Sequence, residues 1–162
     1  MKVLIVYDSV FGNTEKIAQA IGNAMGSQAD VNILRVGNVK QENLRGLDAL
    51  IVGSPTRAFK PTKAITNFLK GFPKNGLMGV KVAAFDTRFT MEKIKSSFFM
   101  LSLFVNIFGY GAKPISEILK KKGGDLVAPP EGFFVEDVEG PLKEGEIERA
   151  ANWTKKIFES KK

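Results

Sequence analysis

Residues 2–15 read Lys2-Val3-Leu4-Ile5-Val6-Tyr7-Asp8-Ser9-Val10-Phe11-Gly12-Asn13-Thr14-Glu15. The run up to Tyr7 is continuous, apolar and rich in β-branched residues, which is typical of a strand buried on both faces of a parallel sheet. A polar, glycine-containing turn follows it. From Thr14 onward apolar residues recur at helical spacing, at Ile17, Ala18, Ile21, Ala24 and Met25. The stretch therefore predicts a strand, a loop and a helix in direct succession.

The same alternation continues along the chain. Further strands are predicted over residues 31–36, 48–53, 79–85 and 132–135, and helices over residues 62–72, 91–122 and 144–159, with a break near residues 109–111. Pro129-Pro130 beside the last strand indicates a sheet edge, and the helical spacing around Trp153 predicts a core position for it. The pattern favours an α/β fold with a doubly wound, five-stranded parallel sheet. Because no repeat or linker interrupts residues 1–162, we expect one domain.

The composition excludes several kinds of chemistry. The 162-residue chain has no Cys and no His, so it has no disulfide, no thiolate zinc site and no Ser-His or Cys-His nucleophile. A chain so poor in catalytic side chains is expected to borrow its chemistry from a cofactor. The net charge of +7 is spread along the chain, so we expect no nucleic-acid partner. Residues 1–7 do not resemble a signal peptide, and a cytoplasmic location is expected.

The loops that follow the strands carry the expected site. In open parallel sheets ligands bind outside the carboxyl ends of the strands, so the loops after Tyr7, Gly53 and Phe85 should share one crevice. The first loop leads directly into a helix, whose backbone N–H groups can bind a phosphate. Ser9, Asn13 and Thr14 add side-chain donors. The alternative interpretation is that Asn13 or Thr14 is an ordinary helix N-cap.

The first loop also resembles a known motif. Ser9-Val10-Phe11-Gly12-Asn13-Thr14 is similar in place and spacing to the phosphate loop of the flavodoxin family, [ST]-x-T-G-x-T, with Phe11 where that family usually has Thr. The flanking residues are most similar to the flavodoxin domains of flavodiiron proteins and their archaeal relatives. The resemblance covers nearly the whole chain. It implies a flavodoxin-like strand order 2-1-3-4-5 and non-covalent binding of flavin mononucleotide (FMN) by Ser9, Val10, Phe11, Gly12, Asn13 and Thr14.

The second and third loops have counterparts in the same family. Ser54-Pro55-Thr56-Arg57-Ala58-Phe59 resembles the loop that runs along the isoalloxazine ring, where Phe59 either contacts the ring or packs under the loop. Arg57 either stabilises the anionic reduced ring, which raises the reduction potential, or lies in solvent. Asp86-Thr87-Arg88-Phe89 takes the place of the loop that covers the other ring face, with Phe89 as the candidate for stacking.

One apolar segment, residues 98–108, has no counterpart in the usual flavodoxin plan. It is too short to span a membrane, which requires about 20 apolar residues. Three interpretations remain: a buried core helix, a surface for a homodimer or for docking of a redox partner, and shallow contact with a membrane surface or quinone.

The resemblance implies a low-potential electron carrier that works through FMN with redox protein partners. The alternative is an enzyme on the same fold, a flavin-dependent NAD(P)H or quinone reductase or a protein similar to the protoporphyrinogen oxidases of this fold.

Overall fold

The computed structural model describes residues 1–90, 92–94 and 110–159. The strands in these residues are β1 (Lys2–Tyr7), β2 (Asp30–Arg35), β3 (Ala49–Pro55), β4 (Lys81–Arg88), β5 (Asp125–Leu126) and β6 (Glu131–Phe134). The main helices are α1 (Asn13–Met25), α2 (Lys63–Lys70), α3 (Ala112–Lys121) and α4 (Glu146–Glu159). The apolar segment 98–108 lies outside the described residues. In the described part of the chain, no helix is both long enough and apolar enough to cross a membrane.

The strands form one parallel sheet in the order β2-β1-β3-β4-β5, and β6 also pairs with β4. The fifth position of the sheet is thus occupied by two short strands in succession. Pro129-Pro130 lies between them, and proline has no N–H to donate to the neighbouring strand. The predicted doubly wound sheet, its order 2-1-3-4-5 and the edge position of the two prolines are confirmed.

The sheet is covered by helices on both faces. On one face, α1 and α4 pack on a cluster that includes Ile5, Phe85 and Trp153; on the other, the cluster contains buried residues of β3, β4, α2 and α3. Trp153 lies edge-on to the rings of Phe85 and Phe133, with centroid distances of 6.3 and 6.1 Å. The predicted core position of Trp153 is confirmed. The two faces leave the carboxyl ends of the strands as the open side of the sheet.

The end of β4 was predicted wrongly. The expected strand stopped at Phe85, which placed Asp86, Thr87 and Arg88 in a loop, but β4 continues to Arg88. The reason is a long-range partner, because Phe85–Arg88 pair residue by residue with Glu131–Phe134 of β6. The three residues therefore alternate between the two faces of the sheet, and each side chain reaches different neighbours.

Candidate functional site

The first loop ends at an open helix terminus. Gly12 is the N-cap residue of α1, with a left-handed backbone (φ 84°), and no side chain of the described residues caps the helix. The N-cap interpretation of Asn13 or Thr14 is therefore wrong, since both lie in the first turn of α1. Ser9 Oγ accepts a hydrogen bond from the Gly12 N–H at 3.0 Å and holds the turn closed. The positive end of a 13-residue helix is thus left for an anion.

Asn13 and Thr14 attach the loop to other parts of the site. Asn13 Nδ2 donates to the carbonyl oxygen of Glu139 at 3.1 Å. The Thr14 and Thr87 hydroxyl oxygens lie 2.8 Å apart. Gly140 makes room for the first contact, because a β-carbon there would lie 2.7 Å from the Asn13 amide. The first loop is thereby fixed to β4 and to the loop between β6 and α4.

Arg35, at the end of β2, holds the loop from behind. Its Nη2 donates to the Ser9 carbonyl at 2.7 Å and lies 3.4 Å from Asp8 Oδ1, which also accepts the Ser9 N–H. Both backbone groups of Ser9 are therefore engaged inside the protein. No local sequence pattern indicates this role of Arg35, because the contact depends on the pairing of Tyr7 with Arg35 between β1 and β2.

A cavity of about 240 Å³ opens in front of this loop. The strand ends share it as expected: its lining comprises Ser9, Val10, Phe11, Asn13, Thr14, Pro55, Thr56, Arg57, Ala58, Thr87, Arg88, Phe89, Val135 and Val138. Four candidate residues do not line it, and one of them, Phe59, lines only the second cavity described below. Gly12 forms the turn, Asp86 is buried behind the wall, and the buried Ser54 braces the second loop by accepting the Thr62 N–H at 2.9 Å.

The second loop contains a strained two-residue turn. Arg57 and Lys60 exchange both backbone hydrogen bonds, at 2.9 and 3.0 Å, across Ala58 and Phe59. These two residues have φ of 45° and 65°, a left-handed pair that hairpin turns of type I′ usually build from Asn and Gly. A β-carbon makes this conformation costly, and such strain tends to occur at functional sites. The side chain of Arg57 is exposed and that of Phe59 is partly buried.

A second cavity of about 410 Å³ adjoins the first and shares Thr56, Ala58, Arg88, Phe89 and Val138 with it. Its further lining residues are Phe59, Lys93, Ile94, Tyr110 and Asp137. The local patterns did not indicate Lys93, Ile94, Tyr110, Val135, Asp137 or Val138, which reach the site only through the tertiary fold. The aromatic side chains Phe59, Phe89 and Tyr110 make this end of the site suitable for a planar ring.

Cations lie against two of these rings. The Cζ atom of Arg88 is 3.8 Å from the centroid of the Tyr110 ring, and Lys93 Nζ is 5.4 Å from that of Phe89. Lys93 also contacts Asp137 Oδ1 at 3.4 Å and donates to the Glu136 carbonyl, which ties this wall to the loop after β6. The aromatic end of the site is thus electropositive as well as apolar.

Asp86 anchors the wall between the two cavities. Its fully buried carboxylate accepts hydrogen bonds from Nε and Nη2 of Arg88 and, at 2.7 Å, from the backbone N–H of Ala112 at the start of α3. The Thr56 hydroxyl also hydrogen-bonds to it and accepts the Gly111 N–H at 3.0 Å. Burial raises the pKa of Asp86 above its ordinary value, and the charge of Arg88 opposes that rise.

Comparison with known proteins gives a family and a set of similar structures. The family described as flavodoxin domain matches residues 4–123. A flavodoxin from Picosynechococcus sp. is 42% identical over 55 residues, which are 34% of this chain and only 32% of that protein. Oxidised flavodoxin 1 from Bacillus cereus has a TM-score of 0.76 at 16% identity, and 100% of each chain is covered. A flavodoxin from the domain Archaea has a TM-score of 0.73 at 23% identity, with 98% of this chain and 97% of that one covered.

The two solved structures show that the fold is shared. The family match covers most of the chain and includes all three loops at the carboxyl ends of β1, β3 and β4. The chain therefore belongs to the flavodoxin domain family, whose cofactor is FMN, as the motif from Ser9 to Thr14 indicated.

Proposed function

We propose that this protein is a flavodoxin-like electron carrier that holds FMN non-covalently and exchanges electrons with redox protein partners. The observation that carries the proposal is the open amino end of α1 at one end of a continuous site and three aromatic side chains at the other. FMN has a matching polarity, with a phosphate at one end and a planar ring at the other. When bound, it supplies the ability to accept and release electrons.

The assignment of residues follows this polarity. The phosphate would be held by backbone N–H groups in the first turn of α1, with the hydroxyl of Thr14 beside them. The ribityl chain would pass along Pro55 and Thr56, and the ring would lie between Phe59 and Phe89. Val135 and Val138 would cover the cofactor from the loop after β6, and thereby exclude water from it.

The chemistry of the cavity walls supports a carrier over an enzyme. The whole chain has no His and no Cys, and the described residues contain no group of three or more potential metal ligands among Asp and Glu. Among the residues that the structure describes, the charged groups that line the two cavities are Arg57, Arg88, Lys93 and Asp137. Asp137 is exposed, and the hydrogen bond from the Val138 N–H, together with its contact with Lys93, lowers its pKa, so it is a weak general base.

One observation favours the enzymatic alternative. The second cavity, at about 410 Å³, is larger than the first, and its two cations could receive an organic anion beside the flavin ring. A flavin-dependent NAD(P)H or quinone reductase would use the cavity in this way. Incubation of the FMN-loaded protein with NADH or NADPH and a quinone distinguishes the two functions. A carrier shows no turnover unless a reductase is added, whereas an enzyme oxidises the nicotinamide by itself.

The cofactor assignment is tested by denaturing the purified protein and identifying the released flavin by mass spectrometry. We expect FMN, and we expect the apoprotein to bind FMN more tightly than riboflavin, which lacks the phosphate. Recovery of FAD alone, or failure of the apoprotein to bind FMN, would contradict the proposal. We also place the protein in the cytoplasm, which cell fractionation tests.

A further inference from the structure

We propose that Arg88 is the cationic group that the protein presents to the flavin, and that Asp86 is the residue that positions it. The inference rests on the FMN site proposed above and adds to it the group that favours the reduced, anionic form of the ring. The supporting observations are the hydrogen bonds to the Asp86 carboxylate and the position of Arg88 in the walls of both cavities.

Arg88 is held from three sides. Its Nε and Nη2 atoms both donate to the Asp86 carboxylate, the latter at 2.9 Å, and its Cζ atom lies 3.8 Å from the Tyr110 ring centroid. The third side is Gly132 on β6, where a β-carbon would lie 2.1 Å from the guanidinium. Because all three contacts use the planar faces or edges of the guanidinium, its orientation is well defined.

The pair is oriented with its positive member toward the site. Arg88 lines both cavities, whereas Asp86 is fully buried and lines neither. The Asp86 carboxylate is further engaged by the Ala112 N–H and the Thr56 hydroxyl, which hold it on the α3 side of the sheet. A bound flavin therefore meets the cation, and the compensating negative charge lies behind it.

Burial makes this charge more effective than that of Arg57. The side chain of Arg88 is 15% exposed, whereas that of Arg57 is exposed at the rim of the first cavity. Charge interactions weaken as the surrounding dielectric rises, so a cation in the wall acts more strongly than one at the rim. The other groups beside the second cavity contribute less: Lys93 is paired with Asp137, and burial raises the pKa of Tyr110, which keeps its phenol neutral.

The consequence concerns the relative affinity for the two redox forms. Uptake of two electrons and one proton converts the neutral ring into an anion, and a fixed cation favours that product. Replacement of Arg88 by Gln should therefore weaken binding of reduced FMN about tenfold more than binding of oxidised FMN, which lowers the two-electron midpoint potential by roughly 30 mV. Arg88→Lys keeps the charge and should keep most of the potential.

Arg149 offers a matched control. Its guanidinium also pairs with a buried carboxylate, that of Glu146, and lies over the Phe133 ring at 4.7 Å, but it lines neither cavity. Arg149→Gln should therefore cost stability without changing the ratio of the two affinities. If Arg149→Gln lowered the midpoint potential as much as Arg88→Gln does, the effect would not be specific to Arg88, and the assignment would be overturned.

The positioning role of Asp86 is tested by a double-mutant cycle that measures the ratio of the affinities for reduced and oxidised FMN. In the Asp86→Asn background Arg88 has lost its anchor, so Arg88→Gln should change the ratio by less than about threefold. An effect of Arg88→Gln that is as large in this background as in the wild type would show that Asp86 does not position Arg88.

The outcomes separate this inference from the proposed function. If the wild-type protein does not bind FMN, the proposed function fails. If the wild type binds FMN and both Arg88→Gln and Arg88→Lys leave its midpoint potential unchanged, the proposed function stands and the role of Arg88 is wrong. Where Arg88→Gln does not fold, the double variant Asp86→Asn/Arg88→Gln replaces it, because it leaves no buried charge unpaired. A midpoint potential of the double variant below those of the wild type and of Arg149→Gln supports the role of Arg88, and a potential equal to theirs overturns it.

Discussion

Thr14 on α1 and Thr87 on β4 share a hydrogen bond, with their hydroxyl oxygens 2.8 Å apart. Both residues are buried and both line the first cavity. A hydroxyl donates one hydrogen bond and accepts others, so Thr14 can donate to a phosphate oxygen when the Thr87 hydroxyl is the donor in their contact.

The first prediction follows from this capacity. Thr14→Ala should weaken FMN binding about tenfold or more, because a hydrogen bond to a charged group contributes about 1.5 to 3 kcal/mol. Riboflavin binding should weaken less, since riboflavin has no phosphate. Calorimetric titration of the apoprotein with each flavin measures both effects. Thr87→Ala is the control, because it removes the contact between the two threonines and leaves the Thr14 hydroxyl in place. Equal losses for the two flavins would argue against a phosphate contact.

The second prediction compares two glycines of the site. Gly12 and Gly140 both have a positive φ, 84° and 107°, but a β-carbon would meet nothing within 4 Å at Gly12 and would clash with Asn13 at Gly140. Gly12→Ala should cost only the backbone strain, about 1 to 2 kcal/mol. Gly140→Ala should cost more and should also weaken FMN binding, because Asn13 must move. Urea denaturation of the apoproteins measures the loss in the free energy of unfolding for each variant. An equal loss in Gly12→Ala and Gly140→Ala would contradict the steric argument.

The third prediction concerns Arg57. Its side chain is exposed at the rim of the first cavity, so its effect on the flavin is screened by solvent and is about 1 kcal/mol or less. Arg57→Gln should lower the midpoint potential slightly and Arg57→Glu should lower it further, and both shifts should shrink as salt is added. Redox titrations at low and high ionic strength test this order. Shifts that are absent at low salt would place Arg57 in solvent without a role.

The fourth prediction follows from the raised pKa of Asp86. Burial raises this pKa in the folded protein above the ordinary value of 3.8. The contribution of Asp86 to stability is therefore fully present below about pH 3.8 and is lost as the pH rises through the raised folded value. The advantage of the wild type over Asp86→Asn should accordingly decrease as the pH rises. Urea denaturation of both apoproteins from pH 4 to 7 measures this difference in the free energy of unfolding. A difference that grows with pH in favour of the wild type would contradict the raised pKa of Asp86.

The loss of stability that follows ionisation of Asp86 agrees with its positioning role. A buried ion pair often contributes little net stability, because removing two charges from water offsets their attraction. Here the carboxylate holds Arg88, Thr56 and the start of α3 in one arrangement, and that arrangement forms part of the site wall.

Local patterns predicted most of the fold. The apolar runs of β1 and β3 and the helical spacing of α1 and α4 depend on neighbours in sequence, and these four elements agree with their predicted bounds to within a few residues. The failures share one cause. The last three residues of β4 are polar and resemble a loop, and β5 has only two residues, so each depends on a pairing partner about 45 residues away in sequence.

The amino-acid sequence by itself indicated the fold class through periodicity, the strand order and the cofactor through the family motif in the first loop, and most of the cavity lining through the three segments at the ends of β1, β3 and β4. Only the tertiary structure decided which side chains support these loops and which residues from distant segments line the site. Arg35 reaches Ser9 across two strands, Asp86 is a buried anchor and does not line the cavity, and Tyr110 and Val138 enter the site from distant segments. Strand pairing and helix docking bring these groups together, and no local pattern records such contacts because their partners are far apart in sequence.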